Sequence, residues 1–129
     1  MKATFLLDSA ILIDHLRGVP EAHRWLSGLQ EGMAAISVIT RAEVLSIGDP
    51  TALAAAAALC GQFACLPITA EVADKAAEMR RQFRWKLPDA FQAALAREQR
   101  LQLVTRNSKD FNGKTHPFVH IPYRLETQR

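Results

Sequence analysis

No hydrophobic run in this chain of 129 residues approaches the ~18 apolar residues that a membrane-spanning helix needs. A transmembrane segment and a membrane partner are therefore not expected. The apolar start "MKATFLLDSAILIDHL" is interrupted by Asp8 and Asp14, and no small-residue cleavage site follows it. It does not read as a signal peptide, and the cytoplasm is the expected compartment. Cysteine is scarce: Cys60 and Cys65 stand at C-x4-C spacing with no second pair. His15, His23, His116 and His120 do not gather round them at ligand spacing, which argues against a zinc site and for free, buried thiols. There is no internal repeat and no linker, so one domain over residues 1–129 is expected.

The composition, 49% hydrophobic and 22% charged, is that of a globular chain long enough to bury a core. The net charge of +3 is unevenly spread. Residues 1–70 carry four Lys/Arg against six Asp/Glu, giving −2; residues 71–129 carry twelve against seven, giving +5. A basic half suits an anionic partner such as nucleic acid, although "RRQFRWK" alone would also suit a solvated helix face.

Short apolar runs alternate with helical patterns. "ATFLL", "MAAI", "ACLPI", "LQLVT" and "FVHIP" read as strands. Ser9 is the expected cap of a helix through "AILIDHLR", ended by Gly18 and Pro20. "EAHRWLSGLQ" follows, with Trp25 either in the core or at a contact between copies. Ser37 caps "VITRAEVLSI", an alanine-rich helix runs from Pro50 to near Gly61, Thr69 caps a helix over 70–83, and another runs from Pro88 to about Gln99. The rhythm predicts an α/β fold whose mostly parallel sheet of four to five strands is covered on both faces.

Ligands gather at the carboxyl ends of the strands in such sheets. Asp8 directly follows the first strand. Glu43 lies between Ile39 and Ile47 on the expected inner face of its helix. Asp89 heads the apolar helix "LPDAFQAALA", and Asp110 lies just beyond the fourth strand. Singly, each has an ordinary explanation: a helix cap, a surface acid, an acid at the positive end of a helix dipole, a turn residue. Together they place four like charges near one sheet edge, which is costly unless a cation neutralises them. Oxygen-only donors suit Mg²⁺, with Mn²⁺ as a substitute.

The segments "LLDSAILIDHLRG", "ISVITRAEVLSIG", "KLPDAFQAALA" and "LQLVTRNSKDF", in that order, resemble a PIN-domain protein, and most closely the VapC-type toxins of bacterial toxin–antitoxin pairs. The resemblance runs from residue 3 to "VHIPY" and implies a three-layer α/β/α sandwich and a metal-dependent endoribonuclease. Asp8, Glu43 and Asp89 match the family's recurrent acids, and Thr105 its small hydroxyl residue. Where many members have a fourth acid this chain has Asn107, with Asp110 three residues later, which leaves the number of ions open. A small antitoxin protein and a homodimer are also implied.

The fitting chemistry is phosphodiester hydrolysis by metal-activated water. Asp8 and Asp89 would hold Mg²⁺, with Glu43 ligating it or orienting water, and Asp110 completing the catalytic acids. Ser9, Thr105 and Asn107 are expected to orient the acids. Arg80, Arg81, Arg84, Lys86, Arg106 and Lys109 are expected to hold RNA phosphates. Two rivals remain. Another class of Mg²⁺-dependent phosphoryl hydrolase would normally show D-x-D after the first strand, where "DSA" has Ala10. The other is a non-catalytic nucleic-acid-binding module of the same fold.

Overall fold

The computed structural model describes residues 3–47, 50–111 and 116–125. Its strands are β1 (Phe5–Leu7), β2 (Ala34–Ser37), β3 (Ala64–Leu66), β4 (Gln102–Val104) and β5 (Val119–His120). The helices are α1 (Ser9–Leu16), α2 (Pro20–Ser27), α3 (Val38–Leu45), α4 (Pro50–Cys60), α5 (Ala70–Phe83) and α6 (Leu87–Glu98). The strands form one sheet in the order β3-β2-β1-β4-β5, and every pairing is parallel. The chain builds outward from β1 in one direction, then crosses back to lay β4 on the other side. The carboxyl ends of β1 and β4 therefore meet at the switch point, where such sheets form a crevice.

Alternation along the strands divides the core in two. Leu6, Ala35 and Leu103 face one cluster, with Val72, Ala76 and Met79 of α5 and Ala90, Ala93 and Ala94 of α6. Leu7, Ala34, Ile36 and Val104 face the other, with Ile11 and Leu12 of α1, Val44 of α3 and Leu59 of α4. Helices on both faces make the expected three layers. The small side chains of α6 let it lie close to the sheet: Ala90 and Ala93–Ala96 are all buried. No helix among the described residues is long and apolar enough to cross a membrane.

Several sequence expectations shift. Asp8, not Ser9, caps α1: its backbone is extended and its carboxylate accepts the Ser9 N–H. Pro20 does not merely end α1 but opens α2, where a residue lacking an N–H costs nothing. Trp25 packs edge-on against Phe5 at 5.5 Å in the second cluster, so it serves the core. Cys60 is buried as expected, but Cys65 is exposed. It lies on β3, one of the sheet's two outer strands, where Ala64 is exposed as well, so helical cover is incomplete at that edge.

Candidate active site

Asp8 occupies the turn from β1 into α1, at the switch point. Its backbone N–H continues the sheet's bonding by donating to the Val104 carbonyl at 2.9 Å. The carboxylate is held at both oxygens. Oδ1 accepts the Ser9 N–H at 2.9 Å, and Oδ2 accepts the Thr105 hydroxyl at 2.8 Å. Thr105 is fully buried just beyond β4, and its own oxygen accepts the Asn107 N–H at 3.1 Å. Thr105 thus acts through its side chain, whereas Ser9 contributes its backbone N–H.

Asp8 keeps some exposure as a residue, but its carboxyl group is packed round by protein. Burial pushes its pKa up; the Thr105 hydrogen bond opposes this, Glu43 adds to it through charge repulsion, and the Ser9 N–H and Gln92 oppose it. Asp89, in the first turn of α6, is pushed from 3.8 to about 6, first by burial and then by Asp8, Asp110 and Glu43 in turn. Lys86 alone pulls it back. The four acids therefore share one field, as expected from their places in the chain.

Asp110 is oriented from its own turn. Asn107 donates from Nδ2 to its carboxylate at 3.1 Å, and the Asp110 N–H donates to Asn107 Oδ1 at 3.2 Å. Asn107 thus acts as the clamp of the turn that presents Asp110. The basic residues are dispersed. Lys86 lies near Asp89, while Lys109 and Arg106 flank Asp8 beside a cavity of about 570 Å³. Arg80, from α5, donates to the Trp85 carbonyl, and Arg84 ends α5 in a left-handed conformation. Arg81 is exposed on α5. No geometry joins these three to the acids.

Two buried networks were not expected from sequence. In the first, Ser37 donates to Gln92 Oε1 at 2.8 Å, Gln92 Nε2 donates to Thr40 Oγ1 at 2.5 Å, and Thr40 donates to the Leu7 carbonyl at 3.1 Å. It ties α3 and α6, the bearers of Glu43 and Asp89, to the residue preceding Asp8. In the second, Asp14 of α1 pairs with Arg106 through Nε at 2.5 Å and Nη2 at 3.1 Å, and accepts the Tyr123 hydroxyl at 2.8 Å. One signal was available for the first: Gln92 is the lone polar residue in the apolar stretch behind Asp89, one turn along the same face.

Among the described residues, no three His, Cys, Asp or Glu side chains converge closely enough to form a metal site. The donor set nevertheless fits a hard, hydrated cation. The donors are carboxylates that repel one another, with only Lys86 opposing the repulsion at Asp89. Mg²⁺ typically takes one or two carboxylates and keeps several waters, so it does not need a tight cage.

Comparison with known proteins agrees with this geometry. The PIN domain family pattern matches residues 5–114, a span that includes all four acids. Ribonuclease VapC10 of Mycobacterium tuberculosis is 38% identical over 108 residues, 79% of this chain and 81% of that protein. A chain of a toxin–antitoxin complex from Klebsiella pneumoniae is 33% identical with a TM-score of 0.85, covering 95% of this chain and 100% of that one. The FitAcB structure from Neisseria gonorrhoeae shares the fold at 22% identity, a TM-score of 0.74 and 95% and 100% coverage. With its three layers, its acids at the switch point and these likenesses, the chain belongs to the PIN-domain family, in the company of its VapC-type members.

Proposed function

We propose that this chain is a metal-dependent endoribonuclease, the toxin of a toxin–antitoxin pair, built as one PIN domain and acting in the cytoplasm. The observation that carries the reading is the gathering of Asp8, Glu43, Asp89 and Asp110 at the switch point, where burial and then the charges of the other three acids raise Asp89 to about 6. The ribonuclease name of the Mycobacterium relative and the toxin–antitoxin assembly of the Klebsiella structure support the substrate and the partner. A homodimer is part of the same reading.

Asp8 and Asp89 are the residues that would hold Mg²⁺ or Mn²⁺, with Glu43 beside them. Bound there, such an ion supplies activation of water near neutral pH and neutralises charge at the phosphoryl group. The protein's own share is preorganisation. Thr105 and the Ser9 N–H fix the Asp8 carboxylate, and their bonds favour its ionised form. The Ser37–Gln92–Thr40 network sets α3 and α6 at their spacing, and Asn107 aims Asp110. Lys86 and Lys109 bring positive charge to the rim, where RNA phosphates must approach.

The test is cleavage of RNA by the purified chain. Mg²⁺ or Mn²⁺ should support it, EDTA should stop it, and Asp8→Asn should abolish it with the fold retained. Full cleavage in excess chelator, or by Asp8→Asn, would refute the assignment.

A further inference from the structure

Beside the acidic cleft lies the cavity of about 570 Å³, with Asp8 on one wall and Arg106, Asn107, Lys109, Tyr123 and Arg124 on others. Tyr123 and Arg124 come from the segment after β5, which the reading of the acids leaves unused. The cavity's size falls within the ~300–1,000 Å³ usual for ligand sites. Its walls pass from a carboxylate at Asp8 to cationic groups at Lys109 and Arg124. Both are exposed, and neither has an ion-pair partner among the described residues.

The remaining wall is rigidly built. Asp14 is 5% exposed and grips Arg106 through two hydrogen bonds. That pairing offsets the guanidinium charge and makes Arg106 a fixed wall element. The Tyr123 hydroxyl also donates to Asp14, which fixes the ring, and burial with this bond raises the phenol pKa so that it stays protonated. One buried carboxylate thereby joins α1, the turn after β4 and the segment after β5 around a single opening.

We propose that this cavity is a subsite for the nucleotide flanking the scissile phosphate of single-stranded RNA, with Lys109 and Arg124 on its phosphate and Tyr123 against its sugar or base. The proposal rests on the RNA-cleaving reading and deepens it. Two exposed cations supply the attraction, the Tyr123 ring held by its bond to Asp14 supplies a surface of fixed position, and a strand whose scissile phosphate lies near Asp8 would run on into the space between them. Asp14 is a positioning residue: it touches no substrate but sets where Arg106 and Tyr123 stand.

The experiment compares Lys109→Ala, Arg124→Ala and Lys109→Arg with Arg24→Ala, which removes an exposed charge on α2 outside the cavity. Binding of a labelled, mixed-sequence oligoribonucleotide is followed by anisotropy across a salt series, and cleavage by KM and kcat. Lys109→Ala and Arg124→Ala should each weaken binding and raise KM by about 3–10-fold with kcat nearly unchanged, and lower the salt slope by ~0.7. Lys109→Arg should recover most of the loss, and Arg24→Ala should match the wild type. Tyr123→Phe keeps the ring but frees it from Asp14, so it should raise KM and leave the salt slope alone. If RNA is cleaved but Arg24→Ala weakens binding as much as the cavity variants, the subsite is overturned while the catalytic reading stands. If no RNA is cleaved yet the binding contrast holds, the subsite stands and the catalytic reading falls. Unchanged RNA binding in both alanine variants would also overturn the subsite and leave the cavity to a protein partner.

Discussion

Replacing Asp89 by asparagine should stabilise the metal-free protein, an unusual outcome for a change at a proposed active-site acid. The carboxyl titrates at about 6 in the folded chain against an ordinary 3.8. Between those values the folded state holds a proton that the unfolded state has released, so each rise in pH costs stability. The penalty is absent below the ordinary pKa, grows through the window, and is complete above about pH 6. Two units correspond to ~3 kcal/mol at most. Asp89 is only half-buried, and solvent screening reduces this to ~1–2 kcal/mol. Asparagine also forfeits the favourable meeting of a charge with the start of α6, worth ~0.3–1 kcal/mol. The net gain is therefore about 1 kcal/mol, a rise in Tm of ~3–6 °C near neutral pH. Thermal unfolding in EDTA should show the two proteins alike at about pH 4 and separated at about pH 8. Added Mg²⁺ should then narrow the gap by stabilising the wild type more. A variant no more stable than wild type at the higher pH would refute the claim that burial and neighbouring like charges together strain the Asp89 carboxylate.

Asp14→Ala leaves the Arg106 guanidinium, 21% exposed, without its buried partner, and should cost ~2–4 kcal/mol in denaturant unfolding. Lys75→Ala, which breaks an exposed pair with Glu78, should change stability by less than ~1 kcal/mol in the same assay. Gln92→Leu leaves the buried Ser37 O–H without its acceptor, while its oxygen still accepts the Thr40 N–H, and should cost ~1–3 kcal/mol. It also removes a group that favours ionised Asp8, so Mn²⁺ binding followed against pH should move to higher pH. Asn107→Asp turns the 3.1 Å contact with Asp110 into a meeting of two carboxylates. The metal-free protein should lose stability, and calorimetric titration should show tighter Mn²⁺ binding; unchanged affinity would show that this turn takes no part in holding ions.

Much of the site was legible because each acid is tied to a local feature. Asp8 follows an apolar run of strand length, and Asp89 heads a helix too apolar for a surface. Such local patterns need no knowledge of distant contacts. The supporting groups were not legible, because they join positions far apart. Ser37 and Gln92 are 55 residues apart, and Asp14 and Tyr123 109. In sequence Ser37 is only a helix cap and Gln92 only a stray polar residue. Arg106 shows the same limit from the other side: its charge is visible in sequence, its commitment to Asp14 is not.

The sequence by itself determined the alternation of strands and helices, the parallel sense of the sheet and the places of the candidate acids along it, since periodicity, turn residues and charge are properties of short segments. Tertiary structure alone decided strand order, and with it the meeting of Asp8 and Thr105 across residues that lie 97 apart. It also decided which charges are spent within the protein and which face the cleft. Burial and pairing act through space: the same aspartate is a strained carboxyl at position 89 and a structural anchor at position 14 because of what the fold brings beside it.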